Sequence, residues 1–424
     1  MTSLIRAGAH TVLPVLACSL ALAGFSPWAQ ADFFADSHAS FETRNVYFNR
    51  DFRDGPSTQQ SKREEWAQGL ILKFESGYTP GMVGFGLDMI GMLGLQLDSS
   101  PDRAGSGLLP VRSNGRADPE YSKLGVTAKV KVSQTELKVG SLIPSLPTLR
   151  PNDGMILPQS FRGALVTSQE VPDTTITAGQ LQKVIARNDT SAEDIALNNK
   201  NQRFTRNAQG DHLTLAGFDR KLTDQVKFSY HYAQLSDVYS QYFVGLIATQ
   251  PLGPGVLSGD LRFATSKDQG LAKGGKIDNQ ALNGMLAYAV GGHKFSAGYQ
   301  QMMGKNAFPY IEGSDAYLVN FAQIGDFAEA KERSWQARYD YDFTKIGIPG
   351  LTFMSRYIAG DNAEVPGVAG KGNEWERNTE VRYVIQDGTF KNLALRLRSA
   401  TYRSSFARDA DETRILLTYT KALW

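Results

Sequence analysis

Arginine recurs at alternate positions in several short stretches of this chain. Arg396 and Arg398 lie in Leu393-Ala394-Leu395-Arg396-Leu397-Arg398, Arg382 in Thr379-Glu380-Val381-Arg382-Tyr383, and Arg338 in Trp335-Gln336-Ala337-Arg338-Tyr339. A guanidinium is permanently charged and presents a planar fork of donors suited to oxyanions. Residues i and i+2 of a strand share a face, so Arg396 and Arg398 would stack two charges along one wall. Residues for bond-making chemistry are sparse. Without His10, the histidines are His38, His212, His231 and His293, and none forms a closely spaced metal-ligand pair. A hydrolase could still be assembled from His231 or His293 with a distant serine and aspartate. No local nucleophile motif such as Gly-x-Ser-x-Gly supports one. Neither a metal nor a cofactor is expected.

These arginines need elements that hold alternation. In Trp335–Phe343 one face carries Trp, Ala, Tyr, Tyr and Phe, and the other Gln, Arg, Asp and Asp. The same period of two runs through Leu70–Glu75, Val126–Val132, Val226–Tyr232, Thr379–Ile385, Leu393–Arg398 and Arg414–Tyr419. Alternation by itself fits a soluble sandwich or a membrane barrel equally well. The polar faces carry whole charges near mid-strand, mostly Lys and Arg. A watery barrel lumen accepts such charges at little cost.

Composition agrees with β structure. The chain has 424 residues, 42% hydrophobic and 21% charged, with 41 Gly, 22 Phe, 17 Tyr and a formal net charge of +2. A mean hydropathy of −0.30 excludes a helical membrane bundle. The aromatic content and near-neutral charge disfavour a disordered chain, and that neutrality makes no case for nucleic acid.

Residues 1–31 read as a secretory signal peptide. Arg6 supplies the positive start, Thr11–Phe25 the apolar stretch, and Ala29-Gln30-Ala31 the small-residue cleavage site. Cys18 is the single cysteine and falls in that segment, so the mature chain 32–424 would carry no thiol. Val15–Cys18 loosely resembles a lipoprotein site, but Leu16 is bulkier than that pattern accommodates.

Connections come in two kinds. Short turns fall at 78–81, 133–134, 171–173, 222–224, 253–255, 291–292, 348–350 and 387–388. Long polar connections fall at about 50–64, 98–120, 143–160, 187–210, 266–280, 303–333, 360–376 and 403–412. That asymmetry between rims is the signature of an outer-membrane barrel. A naive reading yields 19 strands. Both termini at the short-turn rim require an even number, so Ala316–Gln323 is assigned to a folded loop, leaving an 18-stranded antiparallel transmembrane β-barrel. The connection Ser141–Arg162 combines four prolines with seven Leu, Ile and Met residues, too apolar to expose freely. It is expected to fold inward over 143–160, and 303–333 to form a second folded loop. An oligomer contact is the other reading of 143–160. Trp424 is out of phase with Ile415, Leu417 and Tyr419, so either a bulge near Lys421 resets the register or Trp424 lies at the rim.

Arg44–Arg50, Glu65–Gly69, Glu75–Tyr78, Gly84–Asp88, Leu157–Ser160, Ser334–Asp340 and Ile348–Met354, in this order and spacing, resemble the substrate-specific outer-membrane porins of pseudomonads, the OprD type. The resemblance spans the whole mature chain. It implies an 18-stranded pore, often packed as a trimer, whose third and seventh outer loops form a constriction. It also implies passive uptake of small carboxylate-bearing solutes along a row of inward basic residues. One branch of the family prefers basic amino acids, another aromatic or other small monocarboxylates. Carried onto this chain, the row is Arg338, Arg356, Arg382, Arg396 and Arg398. Arg162 would sit at the base of the constriction loop and resembles the monocarboxylate branch. Asp315 and Asp326 would be the acidic groups facing the row. The partners implied are small carboxylates, outer-membrane lipid with lipopolysaccharide, and a homotrimer. A barrel adhesin or receptor without transport is the reading from a different class.

Overall fold

Period-two sequence becomes strand wherever one face can meet lipid and the other the lumen. A computed structural model describes residues 33–424, so the expected signal segment and Cys18 lie outside the described residues. The first five strands are β1 (His38–Phe52), β2 (Lys62–Glu75), β3 (Gly84–Asp98), β4 (Glu120–Val132) and β5 (Thr135–Leu142). After a long connection follow β6 (Ser160–Ser168), β7 (Thr174–Ile185), β8 (Leu213–Lys221), β9 (Val226–Leu235) and β10 (Tyr239–Leu252). Next come β11 (Gly255–Asp268), β12 (Asp278–Val290), β13 (His293–Gly304) and β14 (Arg333–Asp342). The last are β15 (Leu351–Ala363), β16 (Gly372–Val384), β17 (Ala394–Ser404) and β18 (Ala410–Ala422). Each pairs antiparallel with the next, and β1 pairs with β18, Val46 opposite Leu416, which closes an 18-stranded barrel. Closure leaves no unpaired edge in the bilayer.

Ala316–Gln323 is not a strand; it lies inside the connection between β13 and β14. The four longest connections, 99–119, 143–159, 186–212 and 305–332, lie at the outer rim, but the outer connection 405–409 is shorter than the inner one at 385–393. β9 and β10 are joined by only Ser236-Asp237-Val238, so strict alternation of long and short fails there. β18 runs to Ala422 without a register shift, and Trp424 lies past its end, its indole nitrogen donating to Ser37 Oγ at 3.0 Å. Trp424 is therefore at the inner rim.

The outward face is apolar and bare. Leu124, Leu246, Leu261, Leu286, Leu395 and Leu397 are all exposed, an arrangement that only lipid makes favourable. The buried core is inside the barrel and made largely by loops. Met155, Ile156 and Leu157, from the connection 143–159, pack with Leu108 and Leu109 on Val46, Phe48 and Ile71. A β-carbon at Gly69 would strike the Ile156 carbonyl, so glycine there lets the loop lie flat on β2. Arg44 holds the same loop, donating to the Met155 carbonyl at 3.3 Å. On the opposite side Leu149, Ile195, Leu197, Phe204 and Ile311 pack on Leu181, Leu213 and Leu235. Phe308, Ala316, Leu318 and Ala328 cover Phe243, Ala281 and Met302. Thus the connection 186–212 also turns inward, a third filling loop beside 143–159 and 305–332.

Candidate functional site

The inward loops converge on one another. Arg150 and Pro151 pair in a short antiparallel bridge with Ser314 and Asp315, and Gln159 donates to the Glu312 carbonyl at 2.9 Å. Leu197 forms a further bridge to Ile311. What stays open is a cavity of about 930 Å³ between these loops and the wall formed by β15, β17, β18, β1 and β2. Arg50, Arg63, Arg187, Lys200, Arg206, Arg356, Arg398 and Arg414 line it, against three carboxylates: Glu312, Asp315 and Asp326. Cations outnumber anions eight to three, so the cavity carries a positive field.

The predicted residues separate into groups. Arg356 and Arg398 line the cavity. Arg356 Nε donates to Asn378 Oδ1 at 2.7 Å and Nη1 to the Phe321 carbonyl at 3.3 Å; both partners are neutral. Arg398 and Arg396 share one carboxylate, Glu380, at 3.2 and 2.8 Å. Arg382 is opposite Arg396 in the ladder, exposed in the lumen toward the short-turn rim. Arg338 closes on Asp340 two residues away, with contacts of 2.8 and 2.6 Å, so its charge is already spent. Arg382, Arg396 and Arg338 point to the lumen but do not line the cavity.

Arg162 stands apart. It is exposed, opposite Ser141 and Lys183 beside a register shift, while its neighbour Phe161 is fully buried. The inward position at the base of the loop is thus taken by Phe161, and Arg162 does not reach the cavity.

The two acids also differ from expectation. Asp326 reaches the cavity edge but faces the loops. Arg203 Nη1 donates to its Oδ2 at 2.6 Å and Nη2 to its Oδ1 at 2.7 Å, with Lys200 at 3.2 Å and the Tyr310 hydroxyl at 2.8 Å. Burial alone would push this carboxyl up. The Arg203 and Lys200 charges more than offset that and hold it well below the usual carboxylate range. Asp315 accepts from Asn152 Nδ2 at 2.7 Å, and burial raises its carboxyl above the ordinary value, as it does for Glu312. Asp326 is therefore neutralised by ion pairing, and burial makes the other two weaker acids than usual.

Sequence reasoning missed the remaining cations. Arg50 and Arg63 are cross-strand partners, and Arg414 alternates with outward Ile415 and Leu417, so strand parity could have placed all three. Arg414 and Arg50 share Glu412 at 2.6 Å each. Arg187 and Arg206 come from the connection 186–212, which has no period to read. Arg187 donates to Asn152 Oδ1 at 2.9 Å and to the Gly107 carbonyl. Burial, with the Arg414 and Arg50 charges, pushes its guanidinium below the ordinary arginine value. Among the described residues, no group of three His, Cys, Asp or Glu is placed to hold a metal ion.

A charge-lined cavity inside a lipid-facing barrel, narrowed by inward loops, is the architecture of a selective pore. Comparison with known proteins agrees. The porin-like protein GalP of Pseudomonas putida is 39% identical over 396 residues, 92% of this chain and 93% of its own. The crystal structure of Pseudomonas aeruginosa OccK5 (OpdH) is 57% identical with a TM-score of 0.84, covering 93% of this chain and all of that one. The structure of Pseudomonas aeruginosa OpdK with vanillate is 39% identical with a TM-score of 0.86, covering 92% of this chain and all of its own. These relatives are porins, not enzymes, and the closed 18-stranded barrel is theirs as well. Residues 31–423 match the family described as outer membrane porin, OprD family, and this chain belongs to that family of substrate-specific channels of the bacterial outer membrane.

Proposed function

We propose that this porin passes small carboxylate-bearing solutes passively, with aromatic and other monocarboxylates ahead of basic amino acids. The observation that supports this most directly is the inequality of charge at the cavity. Arg356 has only neutral oxygens as partners and faces open space. The opposing acids are ion-paired, as Asp326 is, or made weaker acids by burial, as Asp315 and Glu312 are. A carboxylate 4 Å from an unpaired guanidinium gains about 4 kcal/mol at an effective dielectric constant near 20. Desolvation offsets much of that, leaving the weak binding that permits both entry and release. A basic amino acid would need an unspent carboxylate, and the geometry offers few. Vanillate, present in the related OpdK structure, is an aromatic monocarboxylate of the class meant.

In this reading a solute carboxylate passes from Arg63 and Arg50 at the outer ends of β1 and β2 to Arg356, Arg398 and Arg414. It then follows Arg396 and Arg382 toward the inner rim. The test is liposome swelling with benzoate, glucuronate, arginine and glucose, for the native protein and an Arg356→Ala/Arg398→Ala double variant. Carboxylates should enter fastest, and the variant should lose that advantage. Arginine entering faster than benzoate would move the chain to the basic-amino-acid branch. No entry of any solute would overturn the transport reading in favour of a receptor or adhesin.

A further inference from the structure

One arginine points away from the pore. Arg377 is on β16 between the buried, inward Glu376 and Asn378, so its own side chain faces outward. Its cross-strand partners are Tyr357 and Thr401. Tyr357 is exposed, which places this position on the lipid side. Other outward arginines nearby have carboxylates: Arg333 meets Asp361 at 2.7 Å, and Arg403 meets Asp411 at 2.8 Å. Arg377 has neither an ion pair nor a hydrogen-bond acceptor among the described residues. An outward charge in the apolar band is destabilising unless something in the membrane matches it.

Its level in the membrane narrows the partner. Trp375, Tyr357 and Trp335 form a run of contacting rings, with centroids 5.7 and 5.5 Å apart, near the loop-bearing ends of β14 to β16. Such rings mark the interface between headgroups and acyl chains, here on the outer side. Arg377 lies one outward position inside Trp375. Adjoining it is a groove of about 590 Å³ on the outer wall. Ala297 and Ala337 are direct partners across β13 and β14 and, with Ser355, leave its floor low. Leu286 and Tyr357 flank the floor on neighbouring strands, and Phe295 and Tyr339, paired two residues further toward the inner rim, close its inner end. The volume is in the range of single-ligand sites. A positive headgroup anchor at the outer interface, continuous with an apolar trough running into the bilayer, matches an anionic lipid of the outer leaflet.

We propose that Arg377 and this groove seat one lipid A moiety of lipopolysaccharide. A lipid A phosphate contacts the guanidinium, and an acyl chain lies over Ala297 and Ala337. The experiment uses the full-length protein in zwitterionic detergent. Thermal unfolding is followed with added lipopolysaccharide, with its enzymatically dephosphorylated form, and with phosphatidylglycerol, for the native chain, Arg377→Leu and Ala337→Phe. Native lipopolysaccharide should raise the native chain's Tm, and the dephosphorylated form and phosphatidylglycerol should do so much less. Arg377→Leu should weaken the apparent affinity for lipopolysaccharide at least tenfold without lowering the lipid-free Tm or changing single-channel conductance. Ala337→Phe should weaken it by filling the trough. Should Ala337→Phe not fold, Arg377→Leu carries the test alone, because its side chain meets no protein partner. No shift with native lipopolysaccharide, an equal shift with phosphatidylglycerol, or an undiminished shift in Arg377→Leu would each overturn the proposal.

Discussion

Arg203 and Arg356 are the same residue type in the same lumen and do opposite work. Arg203 comes from the connection 186–212 and is almost wholly dry. Its guanidinium is divided between Asp326 and Glu329, and Asn201 donates to the same Glu329 oxygen at 2.7 Å. Arg356 comes from the barrel wall, is braced only by Asn378 and a carbonyl, and borders the open cavity. The first is a clamp joining two loops; the second is held in place with its charge unspent. Pairing and hydration, not residue identity, decide which arginine braces and which one binds.

Breaking the clamp should have the largest effect. Arg203→Met leaves buried Glu329 without a counter-charge and Asp326 with Lys200 alone, and removing one partner of such a buried pair costs about 3–5 kcal/mol. The outcome expected is early protease cutting within 305–332 and a lowered Tm, with the barrel itself still closed. An unchanged proteolysis pattern would show that apolar packing alone holds these loops.

Neutralising the unspent charge should leave stability alone and act on selectivity. Arg356→Gln keeps a donor for the Phe321 carbonyl but removes the charge. Benzoate binding, read from current block in a planar bilayer, should weaken about tenfold, or about 1.4 kcal/mol. A loss of Tm similar to that of Arg203→Met would mean Arg356 is a brace too.

Acidity should separate two buried carboxyls of loop 305–332, Asp326 and Glu332. Asp326 titrates below the usual range, so the stability it contributes persists into acid and is lost only as pH falls through that lowered value. Glu332, fully buried beside Glu374, is pushed well above the ordinary carboxyl value by burial and by the Glu374 charge. A raised folded value means its contribution is complete below the ordinary carboxyl value and is lost as pH rises through the folded one. Loop proteolysis and current noise should therefore increase on the alkaline side, and Glu332→Gln should flatten that rise. A pH-independent native channel would refute the assignment.

The smallest effect belongs to Arg338. Its charge is returned to Asp340 at a part-exposed site, where ion pairs contribute about 0–1 kcal/mol. Arg338→Ala should change benzoate block by less than about twofold, the factor expected for roughly 0.4 kcal/mol. A loss equal to that of Arg356→Gln would extend the functional row to β14.

The alternation in Trp335–Phe343 and Arg414–Tyr419 suffices for strand and for which residues share a face, because a period of two sorts residues without reference to any other part of the chain. Lipid against lumen and the number 18 also needed the unequal rims and the even-strand rule. Arg356, Arg398 and Asp315 were reachable through parity or family pattern and do border the cavity. Arg187, Arg206 and Lys200 were not, because an aperiodic loop carries no rule for where its side chains point.

What the sequence determined by itself is a barrel whose lumen is charged and whose loops are unequal, since both follow from local pattern and length. Only the tertiary structure decided which charges are free. Whether Arg203 meets Asp326, a residue 123 positions away, depends on how two separate loops dock. Whether Phe161 or Arg162 turns inward depends on one shift of register against β7. A free cation is defined by what is missing around it, and only the packing of distant segments settles that.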